Sequence, residues 1–196
     1  MRVTCSKPFL FSVALLFLLD HRGFYALVFA GILIHEVGHL LAILLLGCRL
    51  ERLELRLSGF NLDYAEGQIG YGRDVIVALA GPAANLLAAG LLVLCNSVRT
   101  AEALYLAIGV QVLLAGFNLL PALPMDGGRA LQALASRYWG VEQGAQLMLL
   151  TTALVAAGLL GAGIYACKAP WHNPTLLITG GLLTVGLIKE NKRHVP

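Results

Sequence analysis

Charge is what this sequence has least of. Only 13% of its 196 residues are charged, where a soluble globular domain carries about 25%. That scarcity excludes an ordinary water-soluble fold, and no nucleic-acid partner is expected. Cysteine is also sparse: Cys5, Cys48, Cys95 and Cys167 form no CxxC pair, which excludes a zinc ribbon and a thioredoxin-like motif. Repeats, low-complexity tracts and flexible linkers are missing, so no second soluble domain is expected and residues 1–196 read as one unit. The basic, apolar start has no small-residue cleavage site before Asp20, so it reads as a retained segment. What is abundant is apolar: 58% of residues are hydrophobic and the mean hydropathy is +0.78. The composition is that of an integral, multi-pass membrane protein surrounded by lipid bilayer.

Apolar runs near 8–19, 23–47, 74–96, 102–120, 145–167 and 174–188 predict an all-α polytopic membrane protein with about six transmembrane helices. Under that count, 11 of the 14 Lys and Arg residues fall on one side of the membrane. The positive-inside rule then places both termini in the cytoplasm. On that topology Cys95 and Cys167 share the outer face, where an oxidising compartment would let them pair. Between the second and third runs, Leu53, Leu55 and Leu57 alternate with Arg52, Glu54 and Arg56, and Ser58-Gly59 follows. That period of two predicts a short β-hairpin on the cytoplasmic side. A further stretch, GGRALQALASRYWG, is amphipathic and is expected at the membrane interface or capping the bundle.

The second run contains AGILIHEVGHLLAILLLG, with His35, Glu36 and His39 at its middle. Ionisable groups at the centre of a spanning helix cost about 2.5–3.5 kcal/mol each, so their presence marks a function. HEVGH fits H-E-x-x-H, in which two imidazoles four residues apart share a helix face and converge on one metal ion. Zinc suits imidazole and carboxylate donors, and Glu36 stands where a base could take a proton from water activated by the metal.

Two histidines do not complete a zinc site, so a third ligand must come from elsewhere. Ala42 and Leu45 stand where the metzincin extension would place glycine and histidine. Glu51 and Glu54 belong to the alternating stretch, which leaves Asp126 in FNLLPALPMDGGRAL as the better candidate. Pro121 and Pro124 interrupt any helix there, and Gly127 and Gly128 allow close approach. Broken backbone at membrane depth is tolerated where it lines a cavity or is buried in protein. On the six-run topology both motifs arrive at the same side of the membrane.

HEVGH, then GPAAN (residues 81–85), then NLLPALPMDGG (residues 118–128) together resemble the site-2 protease family of intramembrane zinc metalloproteases. The resemblance covers roughly residues 23–130, which would be the catalytic core. No PDZ-sized insertion separates the motifs, and the wording is most similar to the sporulation-type branch, which releases a sigma factor from a membrane-tethered precursor. A nucleotide-binding CBS domain, frequent in that branch, is not expected here.

The resemblance implies His35, His39 and Asp126 as ligands of one zinc ion and Glu36 as catalytic acid/base. It implies Asn118 as a residue that orients substrate or polarises the scissile carbonyl, with an ordinary interhelical hydrogen bond as the alternative. In GPAAN, Gly81 and Ala84 would let helices approach and Asn85 would bond across the interface. The implied activity is hydrolysis of a peptide bond in or near the membrane segment of a membrane-tethered protein. Inhibitory or regulatory membrane proteins, and self-association, are compatible partners. A zinc or divalent-metal transporter or sensor is the competing reading, because intramembrane histidines and aspartates also mark ion pathways.

Overall fold

A computed structural model describes residues 2–5, 20, 23–47, 50–56, 59–64, 70–98, 102–168 and 174–194. The chain divides into two compact units, Met1–Asn118 and Leu119–Pro196.

In the first unit, helix α1 spans Phe24–Leu45. Its start is tied down by Asp20, whose carboxylate accepts the N–H groups of Phe24 (2.9 Å) and Ala26 (3.0 Å). Such bonds satisfy donors that the first helical turn leaves unpaired. The helix ends where Gly47 adopts a left-handed φ of 71° and donates to Leu44 O at 3.0 Å, the glycine-terminated helix stop. Gly31, His35, Gly38, His39, Ala42 and Ile43 are the buried residues of α1. Their spacing defines one helical face, so the two histidines share a stripe with small residues.

Helix α2 (Tyr71–Val98) and helix α3 (Glu102–Asn118) pack on α1 and on each other. Ala42, Ile43 and Val77 form a core cluster, with Leu46 and Ala80 against it. Gly38 makes the α1–α2 approach: a Cβ there would lie 2.6 Å from Ala80 O and 2.7 Å from the Ala84 Cβ. Gly38→Val should therefore destabilise the protein by about 1–3 kcal/mol through overpacking, read as an earlier transition in detergent unfolding.

The expected fold class needs correction. The isolated short hairpin is not seen. Strands β1 (Arg2–Cys5), β2 (Leu50–Arg56) and β3 (Gly59–Tyr64) instead make one three-stranded sheet in the order β1-β2-β3. β1 pairs parallel with β2, Val3 opposite Leu53, while β2 and β3 pair antiparallel, Leu53 opposite Leu62. The chain is thus not all-α. Alternation in a sequence reports a strand with two unlike faces, but not which distant segment satisfies its open edge.

The count of six spans is corrected as well. Among the described residues three helices are long and apolar enough to cross a membrane: Phe24–Leu45, Tyr71–Cys95 and Val141–Lys168. Glu102–Asn118 and Thr175–Ile188 are apolar but shorter. At 1.5 Å per residue, a 17-residue helix reaches about 25 Å against a hydrocarbon core of about 30 Å. Apolar runs report composition, whereas crossing depends on helical length. The run near 8–19 lies outside the described residues.

In the second unit, α4 (Asp126–Trp139), α5 (Val141–Lys168) and α6 (Thr175–His194) follow one another. The amphipathic stretch forms α4, and Gly140, at φ 95°, separates it from α5. α5 and α6 meet at glycines: a Cβ on Gly163 would lie 2.6 Å from Leu177 N, and one on Gly180 would lie 2.9 Å from Leu160 Cγ. Small residues at such crossings are what lipid-embedded helices use to pack.

Leu45, Leu87 and Leu113 are 86%, 71% and 74% exposed, a surface suited to acyl chains rather than water. The chain is an integral membrane protein.

Candidate metal centre

The site begins on the buried stripe of α1. His35 and His39 are one turn apart, and their rings meet edge to face with centroids 4.7 Å apart. His39 Nδ1 lies 2.7 Å from the main-chain oxygen of Val77 on α2. A carbonyl oxygen only accepts, so Nδ1 carries the hydrogen and the neutral ring presents Nε2 as a lone pair. His35 Nδ1 lies 2.6 Å from Asn85 Oδ1, also on α2. The two Nε2 atoms face each other at 3.1 Å. Two lone pairs at that distance repel unless a proton or a cation is shared between them.

Gly81 leaves the room that such a cation needs. A Cβ at this position would run into His39 Nε2 and come within 2.7 Å of His35 Nε2. The sequence suggested Gly81 and Ala84 as a pair for helix approach. Ala84 does that, opposite Gly38, while Gly81 opens space beside the imidazoles.

Asp126 is the first residue of α4, following the non-helical stretch 119–125 that contains both prolines. A carboxylate in a first turn is favoured by the helix dipole. Arg129 Nη1 stands 3.9 Å from Asp126 Oδ1. The segment is held closely against the helix start. A Cβ on Gly127 would meet Leu119 O, and one on Gly128 would lie 2.5 Å from Ala122 O. Leu123 N–H donates to Thr152 Oγ1 at 3.1 Å.

One ligand atom from each of His35, His39 and Asp126 can be chosen so that all lie within 4.8 Å of one another, and all three residues are buried. Two imidazole nitrogens and a carboxylate oxygen could bind a metal ion, and they form a donor set that fits zinc.

Glu36 is half-buried on α1 beside the pair. Asn118 ends α3, and the bond described for it is within that helix, Nδ2 donating to Leu114 O at 3.0 Å. Glu51 and Glu54 lie in β2. Cys95 is a free thiol, so it does not pair with Cys167.

The sequence reading missed Gln111. It is buried on α3, and its Oε1 accepts a hydrogen bond from Asn85. The available signal was an amide in the middle of the apolar run AIGVQVLLAG, since buried polar groups are nearly always partnered.

Comparison with known proteins adds an independent line. The chain is 29% identical over 122 residues to the zinc metalloprotease MJ0392 of Methanocaldococcus jannaschii, a match covering 59% of this chain and 35% of that protein. It is 30% identical over 182 residues to the Rip3 protein of Mycobacterium tuberculosis, covering 81% of this chain and 46% of Rip3. The chain therefore spans less than half the length of these curated relatives. Its fold is similar to that of the site-2 protease from M. jannaschii, with a TM-score of 0.67 and 24% identity, covering 93% of this chain and 85% of that one. The family model described as Peptidase M50B-like matches residues 9–123, a stretch that includes His35, Glu36, His39 and Asn118. On that match over more than half of its length, the chain belongs to the Peptidase M50B-like family.

Proposed function

We propose that the chain is an intramembrane zinc metalloendopeptidase of the site-2 protease type, with His35, His39 and Asp126 as ligands of one ion. The observation that carries this reading is the gathering of three buried donors beside a glutamate on the same helix. When bound, zinc supplies Lewis acidity at the scissile carbonyl and an acidified water.

The protein's own residues do the rest. His35 and His39 are oriented by α2 so that Nε2 faces inward. Glu36 takes a proton from the attacking water and returns it to the leaving amine. Asn118 carries two amide hydrogens; one goes to Leu114 O, and we assign the other to the substrate carbonyl. Residues 1–196 act as one protease unit with its core at about 23–130.

The substrate class is a membrane-tethered protein cleaved in or near its membrane segment. Release of a transcription factor of the sigma type, as in the sporulation-type branch, is the specific case we favour. The connection after α1 carries Arg49, Arg52 and Arg56, and Arg73 lies in the first turn of α2; by the positive-inside rule this supports a cytoplasmic orientation of the connection and the nearby site.

Metal removal tests the reading. In detergent, the purified protein should hold about one zinc per chain, as expected for a catalytic site of this kind. Cleavage of a membrane-tethered reporter should stop on treatment with 1,10-phenanthroline and return with added zinc. Zinc flux in liposomes without any cleavage would favour the transporter reading instead.

A further inference from the structure

We propose that Gln111 is a positioning residue for the metal centre, acting through Asn85 to hold His35 in the tautomer that presents Nε2. The inference rests on the metallopeptidase reading above. It starts from a main-chain atom. Gly31 O lies 3.0 Å from Asn85 Nδ2, and a carbonyl oxygen can only accept. Turning the Asn85 amide over would place two oxygens against each other at that distance. The amide orientation is therefore fixed, with Oδ1 toward His35.

The consequence passes along the chain of bonds. Oδ1 lies 2.6 Å from His35 Nδ1, so that nitrogen carries the hydrogen and Nε2 carries the lone pair. The second hydrogen of the Asn85 amide goes to Gln111 Oε1. Asn85 has no exposed surface and Gln111 is 4% exposed. Withdrawing the Gln111 oxygen leaves a buried amide hydrogen unsatisfied, and the cheapest relief is a rotation of Asn85 that loosens its hold on His35.

Three helices thus contribute to the orientation of one imidazole: α1 through Gly31 O, α2 through Asn85 and α3 through Gln111. Gly31 lets α3 come this close, because a Cβ on it would lie 2.7 Å from Leu114 Cδ1 and 3.5 Å from Gln111 Nε2. Partners that fix a metal-binding histidine typically set metal affinity by about 10–100-fold.

The test uses the full chain in detergent, with zinc affinity from chelator competition and the visible spectrum of the cobalt-substituted protein. Gln111→Met keeps length and removes the acceptor; Gln111→Glu keeps an oxygen in place. Gln111→Met should weaken zinc binding about 10–100-fold and shift the cobalt bands, whereas Gln111→Glu should match wild type in both. Added to Asn85→Leu, Gln111→Met should cause no further loss, because it acts only through Asn85. Gln111→Asn, which withdraws the oxygen by one methylene, gives the same readout if the methionine variant does not fold.

Wild-type affinity and spectrum in both Gln111→Met and Gln111→Asn would overturn the proposal. So would a glutamate variant as weak as the methionine one, or an additive loss on the Asn85→Leu background. In each of these cases zinc still binds the wild type and the peptidase reading stands. A wild type that binds no zinc would overturn both.

Discussion

Glu36→Gln should abolish measurable proteolysis while zinc remains stoichiometric. The substitution keeps size and hydrogen-bonding shape but removes the base, and a positioned acid/base contributes about 10²–10⁴-fold to such reactions. His35 and His39 should keep their orientation, because Asn85 and Val77 O on α2 hold their Nδ1 atoms. Co-expression with a membrane-tethered reporter, scored by release of a shorter product, reads the activity; metal analysis of the same preparation reads the site. Unchanged cleavage by the glutamine variant would remove Glu36 from the chemistry. Loss of zinc together with activity would instead assign it a structural part in holding the ion.

Gly81→Ala should empty the metal centre. The added methyl has nowhere to go: it meets His39 Nε2 and comes within 2.7 Å of His35 Nε2, on the side where both rings present their donor atoms. Either α2 moves away, breaking the bonds from Val77 O and Asn85, or the imidazoles turn aside. Zinc affinity should fall by about 100-fold or more, beyond the upper end of effects seen when an outer partner of a ligand is lost. Gly90→Ala supplies the control. It makes the same change on the same helix at a position with nothing within 4 Å, so it should bind zinc as wild type does. Equal loss in both variants would show that α2 tolerates no extra methyl anywhere, and would take Gly81 out of the site.

How much of this was legible in the sequence depended on the range of the interaction. HEVGH could be read directly because two histidines one turn apart share a face by helix geometry alone, and α1 buries that face. Asp126 could be named from its proline-flanked, glycine-followed setting, which is where α4 begins. Partners on other helices were harder. Asn85 was expected to bond between helices and does, but its target was invisible because periodicity gives a residue's face and not the atom opposite it. Gln111 went unread for the same reason. The sheet shows the limit most clearly: Leu53, Leu55 and Leu57 announced a strand, yet nothing local linked β2 to Arg2–Cys5 some fifty positions earlier. The span count failed where apolar runs were shorter as helices than the bilayer is thick, as in Glu102–Asn118.

The two histidines differ in how their orientation is inherited. His39 leans on Val77 O, an atom that every amino acid at position 77 would supply, so codon changes there leave the contact in place as long as α2 keeps its course. His35 leans on an amide whose own partner is a second amide, and a single nucleotide change can erase either. Neutral drift is therefore buffered at one half of the centre and exposed at the other, and among the positions that orient the two rings, loss-of-function alleles should gather at codons 85 and 111 rather than 77.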